Sequence, residues 1–342
     1  MSKSVDVKVA VVIPNWNGAD SLEACLDSVL DQSLNSKVIV VDNGSVDDSL
    51  DILKEYPQMD LIRHSENKGF AGGVNAGIQL AIDSGCKYVA LLNNDAVADK
   101  GWLDVLVSTL EESPKTGIVT SKILSADGKS LDSTGDYYTT WGLPYPRGRG
   151  ETDINKYDDQ TNIFAASGGA SLYRVSMLDE IGLFDEDFFA YYEDVDISFR
   201  AQLASWKVLF APKAVVYHQI GATSGKIKGF STYQTIKNQP LLLTKNVPRK
   251  YFWKVGSRFM LAHFLFFIKA IARGHGWAAI KGDFTGTLLL ISASKKRKEI
   301  QANKKVPDEY IWSMLVHDLP PNARNLRRLR AFWRKITGKR VS

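Results

Sequence analysis

Through roughly its first 125 residues the chain alternates short apolar runs, most of them ending in a polar cluster, with stretches whose apolar residues recur at helical spacing. Val9 to Ile13 is a largely β-branched run closed by Pro14, which cannot donate to a sheet ladder and so predicts a strand end, with Asn15, Trp16 and Asn17 just beyond it. Leu22, Cys25, Leu26, Val29 and Leu30 then follow the i, i+3, i+4 pattern of a helix that Asp20 or Ser21 can cap. The second strand, KVIVVDNGS, ends in Asp42, Asn43, Gly44 and Ser45. A short helix over Asp47 to Tyr56 and a strand over Asp60 to Arg63 lead into ENKGFAGGVNAGIQLAIDSG. Its glycines permit close backbone approach, and the helix that follows offers N–H groups to an anion. The spacing is not that of a dinucleotide fingerprint. YVALLNNDA, Tyr88 to Ala96, reads as a strand buried on both faces that stops abruptly at Asn93, Asn94 and Asp95. A helix from about Gly101 to Glu112 and a strand from Gly117 to Leu124 complete a β-α half with a mostly parallel sheet.

Beyond it the pattern changes. Asp127 to Gln160 is rich in turn residues, aromatics and prolines, and a loop that long inside a compact domain is usually functional or mobile; here it is expected to shape an acceptor side. In FAASGGASLYRVSMLDEIGLF, Gly168 and Gly169 again let backbone approach a ligand. A helix is expected to start near Glu193, Asp194 and Asp196, where negative charge suits its N-terminus. The plainer reading leaves these as helix-start charges. Packed among Phe188, Phe189, Tyr191, Tyr192 and Phe199, however, carboxylates lose solvent, their pKa rises, and an acid–base role follows. WKVLFAPKAVVYH is a strand ending at His218, either structural or a contact to metal or phosphate, and is followed by the flexible, polar GATSGKIKG. From about Ser231 the chain turns helical and basic.

Two features bear on membranes. Arg258 to Arg273 is strongly apolar, but His263 and Lys269 interrupt it and its uncharged stretch falls short of the ~20 residues a spanning helix needs, so it reads as a helix that is buried or lies in the interface. The stretch from Ala323 to Ser342 holds eight Lys or Arg and no acid, with Leu326, Leu329, Trp333 and Ile336 on one helical face, which suits an anionic membrane surface. The N-terminus lacks a secretory pattern, and its apolar part is read as strand one. Composition, with 44% apolar and 24% charged residues, excludes global disorder. The two cysteines, Cys25 and Cys86, support neither a disulfide framework nor a zinc site and favour a reducing compartment. Strand tips that end in Asn and Asp point to a ligand crevice, because in open α/β sheets ligands sit beyond the carboxyl ends of the strands. A carboxylate such as Asp95 at that position suits a hard divalent cation, although an exposed Asn-Asn-Asp turn would read the same.

Seven motifs in order, IPNWNG, VVDNGS, NKGFAGGVNAG, LLNNDA, ASGGASLYR, FDEDFFAYYEDVDISFR and YH, together resemble the inverting family-two glycosyltransferases, especially bacterial rhamnosyltransferase-like members that build surface polysaccharides. The resemblance runs from about Val9 to Lys245 and implies the α/β GT-A nucleotide-diphospho-sugar sandwich over residues 1–235, with a donor half to about 125 and an acceptor half from 126, followed by a helical, basic, membrane-associating extension over 236–342. By the same resemblance Pro14, Asn15 and Asp42 contact the base and ribose, and Asn67, Lys68, Gly69 and Gly73 line the donor pocket, with Asn75, Asn93, Asn94, Gly168 and Gly169 completing it. Asp95 takes the metal, Mg²⁺ or Mn²⁺, with Asn93 where the family usually has a first Asp. His218 matches a further metal or diphosphate contact. Asp194 of the Glu193–Asp194 pair matches the catalytic base. The implied donor is dTDP-rhamnose, with UDP-hexose or galactofuranose as the alternative, and the implied acceptor is a lipid-linked glycan met at the cytoplasmic face of the plasma membrane, the enzyme being peripheral there.

Two other functions compete. A sugar-nucleotide pyrophosphorylase would carry a glycine-rich loop with Arg and Lys directly after strand one, and IPNWNGAD lacks it. A non-catalytic glycan- or nucleic-acid-binding protein fits the basic tail, but the acids at Asp42, Asp95, Glu193, Asp194 and Asp196 would repel phosphate without a cation, so no nucleic acid is expected. The number of subunits is left open.

Overall fold

The computed structural model describes residues 8–219 and 227–320. In chain order the elements are β1 Val9–Asn15, α1 Ala19–Leu30, β2 Lys37–Asp42, α2 Ser49–Lys54, β3 Asp60–Arg63, α3 Gly69–Asp83, β4 Tyr88–Leu92, β5 Ala96–Ala98, α4 Trp102–Glu111 and β6 Thr116–Ser125. Then come β7 Leu131–Ser133, β8 Asp136–Tyr138, β9 Pro144–Pro146, β10 Ala170–Arg174, α5 Val175–Ile181, a 3₁₀ turn Glu186–Phe188, α6 Glu193–Leu203 and β11 Lys207–His218. The C-terminal part is helical: α7 Phe230–Asn246, α8 Arg249–Ala272, α9 Gly276–Ala302 and α10 Asp308–Met314. The basic tail and most of the polar stretch after His218 lie outside the described residues.

Nine of the strands form one sheet in the order β3-β2-β1-β4-β10-β6-β11-β5, with β7 beside β6, and β8 and β9 form a separate pair. β3, β2, β1, β4, β6 and β11 run one way, and β10, β5 and β7 oppose them. This is the mostly parallel α/β sandwich expected. Both faces are covered, which the unbroken apolar strands required. Val9, Val11 and Ile13 point to the layer of α1 and α4, where Leu22, Leu26, Trp102 and Leu106 are fully buried. Ala10 and Val12 point to the opposite layer, with Val74 and Ile78 of α3 and Ile197 of α6. Each Val, Leu or Ile side chain so withdrawn from water contributes ~1.5–3 kcal/mol before chain entropy is charged against it.

Two local expectations need correction. β1 does not stop at Pro14: it runs to Asn15, with Pro14 opposite Val41 and Asn15 opposite Asp42. The proline is tolerated because β4 pairs with β1 only as far as Val12, so the ladder bond it cannot make is never called for. The 127–160 stretch is not irregular throughout either. It pairs β7 with the end of β6 and forms the β8–β9 hairpin, whose turn includes Gly142 at φ +69°.

A third cluster joins the two halves of the chain. Tyr138, Phe164, Phe188, Phe199 and Leu203 pack with Leu241, Leu242, Val247, Val255, Phe259 and Ile311. Phe199 meets Phe164 edge-on at 5.0 Å, and Phe164 stacks on Tyr138 at 5.5 Å. The C-terminal helices are thereby built into the core under α6.

Candidate active site

Parallel register brings the tips of β1, β2 and β4 to one edge of the sheet, and the side chains there tie to one another. Asn15 Nδ2 donates to Asp42 Oδ1 at 3.2 Å and to Ser45 Oγ at 3.2 Å, while Asn94 Nδ2 donates to Asn15 Oδ1 at 2.6 Å. Asn15, Asp42 and Asn94 are buried. Gly18 makes room for this junction: a Cβ there would lie 1.9 Å from Asn94 Nδ2. Pro14 sits one residue earlier on the same strand.

The glycine-rich segment reaches the same edge from above. Asn67 Oδ1 accepts from the Gly69 N–H at 2.8 Å, and Asn43 Nδ2 donates to the Gly69 carbonyl at 3.0 Å, which fixes the start of α3 just after Lys68. Gly73 lies against Asn43, its absent Cβ 2.5 Å from Nδ2. Asn75 faces away from this junction: its amide donates to the Phe184 carbonyl at 2.8 Å and to Glu186 Oε1 at 3.0 Å, and accepts from the Phe184 N–H at 3.0 Å. It straps α3 to the segment before α6.

β10 enters antiparallel between β4 and β6, and this insertion sets Gly168 and Gly169 beside the tip of β4. The Asn93 N–H donates to the Gly169 carbonyl at 2.9 Å. Two residues on, Asp95 meets His218, because β5 pairs with β11 so that Ala96 lies opposite His218. His218 Nε2 is 3.1 Å from Asp95 Oδ1, and its Nδ1 is 2.8 Å from Asp132 Oδ2. Asp132 arrives on β7, whose pairing with β6 carries it to the ring, and Arg149 Nε holds its other oxygen at 2.9 Å. Burial disfavours a charged His218, but Asp132 and Asp95 outweigh it and lift its pKa to about 9. Burial likewise acts to raise Asp132, and is overcome by His218 and Arg149, which leave it below its ordinary value.

Among the described residues no three His, Cys, Asp or Glu side chains converge to hold a metal. A cation with two protein ligands still fits here. Hard octahedral ions bind at ~2.0–2.1 Å and take one or two carboxylates together with substrate phosphates and water, which puts neighbouring ligand atoms about 3 Å apart. Asp95 Oδ1 and His218 Nε2 have that separation, here as an ion pair across a ring proton that a bound cation would displace. Asp132 on the far nitrogen fixes which ring nitrogen faces Asp95, as carboxylates behind metal-bound imidazoles do.

The carboxylates expected for acid–base work stand at the start of α6. Asp194 Oδ2 accepts from the Gly168 N–H at 2.9 Å and Oδ1 from the Val195 N–H at 2.8 Å. Burial still lifts its pKa above the ordinary value, against those two amides. Glu193 is buried beside it with Oε2 unpartnered, and burial plus the Asp194 charge push its pKa far up. Asp136 on β8, which the sequence reading did not single out, is raised by burial and by Asp194 as well. Asp194 thus opposes ionisation of both neighbours, as a like charge close by does. Asp196 has a different role. It is fully buried and paired with Lys245 at 2.8 Å and Arg200 at 2.9 Å, and these cations overcome burial to hold its pKa down.

What orients this helix start is a turn that sequence reasoning missed. Phe189, Tyr191 and Tyr192 all have left-handed φ, at 63°, 70° and 72°, immediately before Glu193. Such values strain large side chains, at ~1–3 kcal/mol each, and need outside support. It comes from α7. Asn238 Nδ2 donates to the carbonyls of Phe188 at 2.9 Å, Ala190 at 2.8 Å and Tyr191 at 2.8 Å, and Lys237 Nζ to those of Asp187 at 3.0 Å and Phe188 at 3.1 Å. Burial draws the Lys237 pKa down to about 8 despite Glu193, Asp187 and Asp185 nearby. The same turn roofs the glycine segment: the Phe189 carbonyl accepts from the Ala71 N–H at 3.1 Å, and a Cβ on Gly69 would lie 2.3 Å from that oxygen.

Residues 10–182 match the family model described as glycosyl transferase family 2. The chain belongs to that family. Among curated relatives, this glycosyltransferase is 27% identical over 209 residues to the N-acetylglucosaminyl-diphospho-decaprenol L-rhamnosyltransferase of Mycobacterium tuberculosis, covering 55% of the chain and 68% of the relative. It is 23% identical over 224 residues to the poly-β-1,6-N-acetyl-D-glucosamine synthase of Staphylococcus aureus, covering 64% of the chain and 51% of that protein. Relatives such as these place the glycosyltransferase in bacterial polysaccharide biosynthesis. Its fold is GT-A: the crystal structure of GalNAc-T7 with UDP, GalNAc and Mn²⁺ superposes with a TM-score of 0.56 at 18% identity, over 73% of this chain and 49% of that one.

Proposed function

We propose that this glycosyltransferase takes rhamnose from dTDP-rhamnose and joins it, with inversion, to a hydroxyl of a lipid-linked glycan at the cytoplasmic face of the bacterial membrane. The ordered motifs of the rhamnosyltransferase-like subgroup support the choice of sugar, as does the relative named for L-rhamnosyl transfer to a decaprenol-linked acceptor. The chemistry rests on one observation: Asp194, a carboxylate of raised pKa, is aimed by the Gly168 and Val195 amides at the edge where the glycine segment and the strand tips meet.

In this mechanism the donor base and ribose lie against Pro14, Asn15 and Asp42, and the diphosphate lies along the Asn67–Gly73 segment. Asp95 and His218 would hold Mg²⁺ or Mn²⁺, which supplies electrostatic stabilisation of the departing diphosphate. Asp194 takes the proton from the acceptor hydroxyl as that oxygen attacks the anomeric carbon from the side opposite the leaving group. A single in-line displacement inverts the configuration. Burial and its neighbour's charge raise the Glu193 pKa well above its ordinary value, which leaves Asp194 the more readily ionised of the two.

Thermal stabilisation of the purified protein by dTDP-, UDP- and GDP-sugars, each with and without Mn²⁺, tests the reading, since a ligand that binds only the folded state raises apparent stability. A Mn²⁺-dependent shift largest with dTDP-rhamnose is expected. A shift confined to UDP-sugars would replace the donor, and a shift indifferent to Mn²⁺ would remove the metal from the mechanism.

A further inference from the structure

Helices α8 and α9 leave two apolar stripes uncovered. On α8, Trp253, Met260, Leu261, Phe264, Ile268 and Ile271 share one face at spacings of three, four and seven, and all are exposed, Trp253 by 82%. On α9, Trp277, Ile280, Phe284, Leu288 and Ile291 do the same, Trp277 by 78% and Phe284 by 65%. Isolated surface hydrophobics mean little, but a continuous stripe along four turns of each of two consecutive helices marks a surface that something covers. Opposite faces of the same helices are committed to the protein. Val255, Phe259 and Ala262 enter the third core cluster, and Gly282 and Gly286 let α9 lie against the backbone of Tyr233 and Lys237 on α7.

We propose that these two stripes are a membrane-docking face that lies in the interface of an anionic bilayer, with the Trp, Phe, Leu and Ile side chains among the upper acyl chains. The proposal deepens the reading above, in that it supplies the surface through which a lipid-linked acceptor is met. Charge selects the occupant. Between Arg249 and Ala302 there are eleven Lys or Arg and two acids, Asp283 and Glu299; of the eleven, Lys296 pairs with Asp185 and Asp187 and Lys250 with Glu309, and the others supply the positive edge. Arg249 and Lys254 begin α8, Lys295 and Lys298 continue the α9 stripe beyond Ile291, and Lys269, Arg273 and Lys281 flank the connection between the helices. Apolar stripes edged by cations and carrying tryptophan fit a headgroup layer of negative charge. In a symmetric dimer the same patch would face itself and set these cations against one another. α8 is long and apolar enough to cross a bilayer by length and composition, but its packed face ties it along the protein surface, so it lies rather than spans.

Flotation of the full-length protein with phosphatidylglycerol-containing vesicles tests this, with vesicles of phosphatidylcholine alone as the reference. The wild type is expected to float with the anionic vesicles. The triple substitution Phe264→Ser, Trp277→Ser, Phe284→Ser should lower partitioning roughly tenfold or more, as expected for losing that much inserted apolar surface, with thermal unfolding unchanged because all three are exposed. Charge neutralisation in the tail, Arg324→Gln, Arg327→Gln, Arg328→Gln and Arg330→Gln, should leave flotation of the otherwise wild-type chain largely intact. Undiminished flotation of the triple variant, flotation abolished by the tail substitutions alone, or a wild-type dimer that the triple variant dissociates would each overturn the proposal. Transfer to a water-soluble acceptor is read in parallel. Its absence in wild type would count against the glycosyl-transfer reading, and its retention in a triple variant that no longer floats separates docking from catalysis.

Discussion

Among single residues the sharpest division of labour is between Asp194 and Asp132. Asp194→Asn keeps the shape of the side chain and removes the proposed base. Its turnover number should fall by about 10²–10⁴-fold, the usual contribution of a positioned general base, while titration calorimetry returns a near-wild-type donor affinity. Unchanged turnover would take Asp194 out of the chemistry. Asp132 touches His218 and stays behind it. Asp132→Asn should therefore weaken Mn²⁺ binding by ~10–100-fold, the range found when a carboxylate behind a metal-bound imidazole is lost. Electron paramagnetic resonance of free Mn²⁺ in the absence of any sugar nucleotide measures this directly, and an unaltered affinity would leave Asp132 a purely architectural group. Of these two acids, one was legible in the sequence. Asp194 stands in an acidic, aromatic-rich helix start, which carries its own signal. Asp132 stands in SLDSTGDYY, which reads as a turn, and gains its role only because β7 pairs with β6 and delivers it to a histidine 86 residues away.

At the level of elements, the start of α6 depends on α7. With the Phe189–Tyr192 turn held in left-handed backbone by Asn238, Asn238→Ala removes the hydrogen bonds to three carbonyls at once. A shift of about 1 Å in the proposed base costs up to ~10²-fold in rate, so steady-state kinetics should show a fall in kcat larger than any rise in the KM for donor, because Asn67 and Asn43 also hold the start of α3 and only the Ala71 N–H ties it to the Phe189 carbonyl of the turn. A loss confined to KM would argue against this. The 3₁₀ turn is pinned by a second device. Asp185 pairs with Lys245 and Lys296, and although burial acts to raise its pKa, these cations bring it from 3.8 to about 2. A carboxylate depressed in the folded state contributes stability above its unfolded pKa and loses it as the pH falls through the folded one. Asp185→Asn should thus cost on the order of 2 kcal/mol near neutrality, shrinking between about pH 4 and pH 2; urea unfolding at pH 7, 4 and 3 reads the trend. These ties explain the limits of the sequence pattern. The alternation through β6 is local and could be read, whereas the antiparallel insertion of β10, the three-residue strand β5 and the left-handed turn are set by partners far along the chain. Tyr191 and Tyr192 in left-handed backbone contradict local preference, and only the carbonyl clamp makes them tolerable.

For the molecule as a whole, a docking face that is part apolar and part cationic makes catalysis depend on where the acceptor resides. Added salt screens the cations over about 8–10 Å at 0.1–0.15 M ionic strength and leaves the apolar stripes unaffected. Transfer to an acceptor carried in anionic vesicles should therefore decline as NaCl is raised from 50 to about 500 mM, while transfer to a water-soluble acceptor changes little; equal sensitivity of the two would place the salt effect in the active site. Here too legibility follows physics. The interrupted apolar run from Arg258 to Arg273 announced an interfacial or buried helix, and the structure divides it, one face buried and one exposed. The α9 stripe went unread because small residues and threonines dilute it along the sequence.

The family match ends at residue 182, and the ion pairs that anchor α6 begin at Asp185 and run to Lys296. That seam matters to anyone recombining such enzymes to make new glycans. Exchanging the segment before it for that of a relative swaps the part that matches the family and leaves every member of that charge network with its own partner. A crossover placed inside 185–296 would instead separate cations from the acids they evolved with and strand several charges in a dry interior, so hybrids joined there should fail as soluble proteins before their specificity could be asked about.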